Sequence, residues 1–176
     1  MAILSGDPLL KIARILLTLA MGLATLVAAG LAIALPAIFV ARDKLLIEIA
    51  EEAGRAIAPD MIPALAGLIG VGLAITALAF LFLRHLRRIV DSVAQGDPFA
   101  PVNAERLEAM GWLTLAIQLT SLFAEGVSHW VANQVDPLSA DFDISLGGLF
   151  LALVLFILAR VFRKGAEMRD ELEGTV

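Results

Sequence analysis

The sequence predicts an all-α, polytopic integral membrane protein: four transmembrane helices paired as two antiparallel hairpins in one bundle, with both termini in the cytoplasm. Three observations predict it. Of 176 residues, 60% are hydrophobic, against about 45–50% in a soluble domain. The net charge of −5 is gathered into connectors between long uncharged runs. Lys and Arg are distributed unequally between alternate connectors, as insertion into a bilayer requires.

The first span covers about 13–41. Lys11 and Arg14 precede an uncharged run from Ile15 to Ala41, longer than the ~20 apolar residues that cross a hydrocarbon core. A cleaved secretory signal has a much shorter apolar core, so this run reads as an uncleaved anchor. Ala20, Ala24, Ala28 and Ala32 form a small-residue stripe expected to face the bundle. Pro36 removes a helical hydrogen bond near the far end. From Arg42 to Asp60 the pattern is amphipathic: Leu45, Leu46, Ile49, Ala53 and Ile57 alternate with Glu48, Glu51, Glu52 and Arg55. This fits a helix on the membrane surface or one continuing the first span.

The second span, 61–84, contains the uncharged run Met61 to Leu83, with Ala66, Gly70 and Ala74 as its close-packing face. Arg84, His85, Arg87 and Arg88 follow as a basic collar, and the helix is expected to run on to Gly96, where a left-handed residue ends it. Residues 85–108 form a cytoplasmic connector.

The third span, 109–131, is bracketed by Trp112 and Trp130, about 27 Å apart along a helix, where interfacial tryptophans belong. The loop after it carries Asp136, Asp141 and Asp143 but no Lys or Arg. The fourth span, 142–162, rests on the uncharged run Ile144 to Ala159, extended by a snorkelling Arg160. The tail, 163–176, begins basic and turns acidic. With both ends and the centre inside, ten of the Lys and Arg residues are cytoplasmic and three are outside. Arg84-x-x-Arg87-Arg88 and Arg160-x-x-Arg163-Lys164 end the two hairpins alike, which either marks a duplicated hairpin or reflects the basic residues that any cytoplasmic helix end collects.

Chemistry-bearing groups are few. Glu125 and His129, one helical turn apart, can pair or supply two ligands to a metal; the plainer account is a hydrated pair near the outer interface. A third ligand would have to come from Asp136, Asp141 or Asp143, whose spacing recommends none of them. His85 reads as a headgroup contact. Gln118, Thr114, Thr120, Ser121 and Gly147-Gly148 read as interhelical packing and polar glue. Without cysteine, disulfides, thiol catalysis and thiolate metal sites are excluded. No nucleophile elbow, P-loop, zincin helix or glycine fingerprint occurs, so neither an enzyme nor a cofactor or metal site is expected. No nucleic-acid footprint follows from the charge pattern. Arg84, Arg87, Arg88, Arg160, Arg163 and Lys164 are expected at lipid headgroups.

Gly96-Asp97-Pro98-Phe99, Asn103-Ala104-Glu105-Arg106-Leu107 and Gly111-Trp112, with Val161-Phe162-Arg163-Lys164-Gly165-Ala166 and the ending Asp170-Glu171-Leu172-Glu173-Gly174-Thr175-Val176, resemble the bacterial membrane family known as domain of unknown function 2975. The motifs cover the last two-thirds of the chain; Gly174 before Thr175-Val176 departs from the family's commoner ending. The resemblance implies four spans in a bacterial inner membrane and no established activity. It also implies a small helix-turn-helix regulator as a neighbouring partner.

Two functions follow as expectations. The first is a regulatory or interaction protein whose Asp97, Phe99, Asn103 and Arg106, with the tail, dock a cytoplasmic partner. A plainer account of the same residues is that Pro98 and Phe99 turn and pack the loop while Asn103 caps the next helix. The second is a small transporter or channel subunit using Glu125, His129 and Gln118, which requires a homo-oligomer.

Overall fold

The computed structural model describes residues 8–54, 60–135 and 146–173. Five helices follow one another: α1 (Pro8–Val40), α2 (Arg42–Ala53), α3 (Met61–Ala94), α4 (Pro101–Val135) and α5 (Gly147–Glu173). There is no strand among the described residues. Three helices, α1, α3 and α4, are long and apolar enough to cross a membrane. In α5 the uncharged stretch Gly147 to Ala159 is about 20 Å long, short of a ~30 Å hydrocarbon core. Residues 142–145 of the expected fourth span lie outside the described residues.

The long helices pack in the order α1, α3, α4, α5, each chiefly against its neighbours in that row. Within the row, α1 leans on α3 and leaves most of its surface open. Leu16, Leu19, Leu23, Leu26 and Ile33 are all exposed along it, a surface that only an apolar solvent covers without cost.

The side of α1 facing α3 carries Leu17, Ala20, Ala24, Ala28 and Leu31, all half-buried. Ala32, expected on that face, is exposed. A four-residue repeat advances about 40° per step around a helix of 3.6 residues per turn, so the stripe has left the interface by its fourth alanine. For the same reason Ala66 is buried on α3 while Ala74 is exposed. The helices touch at Gly72, where an added Cβ would lie 3.5 Å from Leu31, an ordinary van der Waals contact. Pro36 lies inside α1 without ending it.

At Ala41 a non-helical backbone separates α1 from α2, which is amphipathic as expected: Leu45, Leu46, Ile49 and Ala50 are half-buried, and Lys44, Glu48, Glu51 and Glu52 exposed. Gly54, with φ +63°, ends it. Ile57 lies outside the described residues.

The end of α3 is a Schellman motif. Gly96 takes φ +87°, its N–H donates to the Val93 carbonyl at 3.0 Å, and the Asp97 N–H donates to Ser92 at 3.1 Å. Four residues later Pro101 opens α4 at a position where a missing N–H costs nothing.

The core lies at this end of the molecule. Leu107 and Met110 of α4 meet Leu155 and Ala159 of α5, with Phe82, Leu86 and Ile89 of α3 and Phe162 of α5 packed around them. Gly111 permits the approach, because a Cβ there would lie 2.8 Å from the Phe156 ring. Trp112 meets that ring edge-on at 5.3 Å. The arrangement places the connector and the start of the tail on the same core.

Candidate functional site

Asn103 is the centre of the connector. It is wholly buried, and its side chain uses both ends: Nδ2 donates to the Ser92 hydroxyl at 2.7 Å and to the Pro98 carbonyl at 3.0 Å, and Oδ1 accepts from Arg106 at 2.9 Å. The expectation that Asn103 caps the following helix is corrected here. Because α4 starts at Pro101, Asn103 already sits in its first turn, with its N–H bonded to the Ala100 carbonyl at 2.8 Å. Its side chain ties the loop back to the end of α3 instead. Arg106 extends the tie by donating to the Arg88 carbonyl at 3.1 Å.

This tie aims the other two residues outward, toward the tail. Phe99 is half exposed and lays one face on Phe162, with ring centroids 5.4 Å apart. Its edge occupies the space above Gly165, where an added Cβ would come within 2.9 Å of the ring. Asp97 accepts from Arg169 at 2.6 Å, across 72 residues of sequence. Glu108 pairs with Arg163 at 2.5 Å. Connector and tail thus close into one clasp whose joints are an aromatic pair on a glycine and two ion pairs.

Ser92, Glu108, Phe162, Gly165 and Arg169 were not singled out as site residues from the sequence. Phe162 and Gly165 belong to the tail motif, which was the available signal; nothing local marks Ser92, Glu108 or Arg169 as partners of residues on other helices.

The basic collars sit beside the clasp. Arg84, Arg87 and Arg88 line a cavity of about 460 Å³ with Met21, Phe80 and Asp91, and Asp91 binds Arg14 of α1 at 2.7 Å as well as Arg87 at 4.0 Å. Arg160, Arg163 and Lys164 line another of about 610 Å³ between α4 and α5. Lys164 donates to Glu167 at 3.1 Å, and this bond, reinforced by the charges of Glu167 and Glu171, raises its pKa.

His85, just past the apolar run of α3, points inward. Its Nδ1 is buried with no hydrogen-bond partner among the described residues. Burial holds its pKa below the ordinary 6.5, and the charges of Arg88, Arg106 and Arg84 push the same way.

Glu125 and His129 are both half-buried far along α4, remote from the clasp in sequence. The His129 Nδ1 lies 2.9 Å from the Asn133 amide. Among the described residues no group of three or more His, Cys, Asp or Glu side chains is placed to hold a metal. Asp136, Asp141 and Asp143 lie outside them. Gln118 packs instead against Gly148 of α5, leaving no room for a Cβ there.

Among curated proteins and among solved structures, nothing matches this chain. The segments that meet in the clasp, with all of α3, α4 and α5, lie within residues 45–176, the stretch that matches the family described as Protein of unknown function (DUF2975), and the chain belongs to that family.

Proposed function

We propose that this is a regulatory or interaction protein of the bacterial inner membrane, whose clasp of connector and tail docks a cytoplasmic partner. In this reading four helices cross the bilayer and both termini are cytoplasmic. The positive-inside rule supports that threading, since the arginine collars and the clasp then share the inner face. The partner class is a small helix-turn-helix regulator, as the family resemblance implies.

The observation that carries the reading is the clasp itself. Membrane insertion alone asks only for polar connectors, yet here a buried asparagine, an aromatic seated on a glycine and two ion pairs fix one shape. Asp97 and Phe99 form its outer face with the tail. Asn103 and Arg106 hold that face in position from within. Conserving the shape of a loop at the cost of ordering it is the expected arrangement for recognition.

Affinity capture of the tagged full chain tests this. Phe99→Ala and Arg106→Ala should each lose a cytoplasmic protein that the unaltered chain retains; identical captures from all three would overturn the reading. No observation favours the transporter reading over it, because the His129 ring bonds to Asn133 of its own helix.

A further inference from the structure

The surface between α1 and α3 carries two adjoining cavities. One holds Arg84, Arg87, Arg88 and Asp91 at its mouth and reaches Met21 and Phe80. The other, about 430 Å³, continues along the same helices and is walled by Ala24, Thr25, Ala28, Thr76, Ala77, Phe80 and Leu81. Phe80 lines both, so the polar cavity and the apolar trough adjoin at its side chain. We infer that the two together are a binding site for one anionic phospholipid, its phosphate on Arg84 and its neighbours and an acyl chain in the trough.

Charge supports the headgroup end. Asp91 is occupied by Arg14 and Arg87, and among the described residues neither Arg84 nor Arg88 pairs with a carboxylate. The other collar differs: Arg163 is held by Glu108 and Lys164 by Glu167, so most of its positive charge is already answered. An anion therefore gains more at the α1–α3 groove.

The trough matches a chain. Its two hydroxyls are turned away from any ligand, Thr25 donating to the Met21 carbonyl at 2.9 Å and Thr76 to Gly72 at 2.7 Å. What remains is methyl, methylene and aromatic surface. Thr76 lies two turns from Arg84, about 12 Å along the axis, so the trough takes the upper part of an acyl chain when the arginines are at headgroup depth. Small residues at 24, 28 and 77 keep it open.

The inference rests on α1 and α3 crossing the membrane and is independent of partner docking, so the capture experiment leaves it untouched. Native mass spectrometry of the full chain in detergent tests it with three probes: phosphatidylglycerol, phosphatidylcholine and glycerol 3-phosphate. Retention of one phosphatidylglycerol at least about tenfold better than phosphatidylcholine is expected, with no glycerol 3-phosphate adduct. Retention of glycerol 3-phosphate as well as the lipid would overturn the acyl-chain half of the proposal.

Arg84→Gln combined with Arg88→Gln should lower phosphatidylglycerol occupancy about tenfold. Arg160→Gln with Lys164→Gln, in the other collar, should leave it unchanged. Ala77→Phe and Thr25→Phe, made separately at exposed positions, should each block the trough and lower occupancy with every charge in place. Equal loss from both double variants, or full occupancy in a folded trough-filled variant, would overturn the site and leave only a non-specific basic collar.

Discussion

Asp97 and Arg169 stand 72 residues apart in sequence and 2.6 Å apart in space. The pair fastens the tail to the loop that ends α3. Both side chains are nearly half exposed, so its contribution to stability is at most about 1 kcal/mol. Asp97→Asn and Arg169→Gln should therefore unfold almost as the parent does, while loosening the clasp. Because the chain has no cysteine, spin labels at Gln95→Cys and Met168→Cys report on it directly: the distance distribution should be narrow in the parent and broad in either variant.

Phe99 and Gly165 make a size test. Gly165→Ala pushes a methyl group into a ring 2.9 Å away, an overpacking that costs about 1–3 kcal/mol. Removing the ring with Phe99→Ala should abolish that cost, so the double variant should be no less stable than Phe99→Ala alone. A double-mutant cycle by chemical denaturation measures the coupling. Additive losses would mean that ring and glycine are not in contact.

Asn103→Ala leaves the Ser92 hydroxyl, the Pro98 carbonyl and the Arg106 guanidinium without the amide that joins them. A loss of about 1–3 kcal/mol is expected from three bonds removed at partly buried groups, although Ser92 keeps its bond to the Ile89 carbonyl and Arg106 its bond to Arg88. Asn103→Asp keeps the acceptor for Arg106 but loses both donated bonds, and should also destabilise. Denaturation of the two variants beside the parent checks both.

His85 predicts a pH dependence. Its folded-state pKa lies below the ordinary 6.5, so as pH falls the unfolded chain takes up this proton before the folded chain does. Its contribution to stability is then complete above about pH 6.5 and declines below it. Between about pH 7.5 and pH 5.5 the parent should lose stability that His85→Gln retains. Thermal unfolding at the two pH values, compared between them, checks the sign.

Much of the helical layout was legible in the sequence because uncharged runs and helix punctuation are local signals. The Schellman turn at Gly96 needed only a glycine after an amphipathic run, and α2 only its alternation. The stripe through Ala32 failed because a count of four ignores the drift of a 3.6-residue helix. Asparagine favours the cap position, but Pro101 starts the helix two residues earlier and puts Asn103 inside its first turn. The clasp was not legible as a contact. Phe99 and Gly165, or Asp97 and Arg169, meet only because α3, α4 and α5 converge on Leu107, Met110 and Leu155. The motifs showed that these segments matter, and the packing shows that they answer one another.

Photocrosslinking in intact cells from Val102, an exposed position at the start of α4 beside the clasp, tests the central claim most directly. The account predicts an adduct with a cytoplasmic protein that disappears when Asp97→Arg opens the clasp. No protein adduct, or one that Asp97→Arg leaves unchanged, would contradict it.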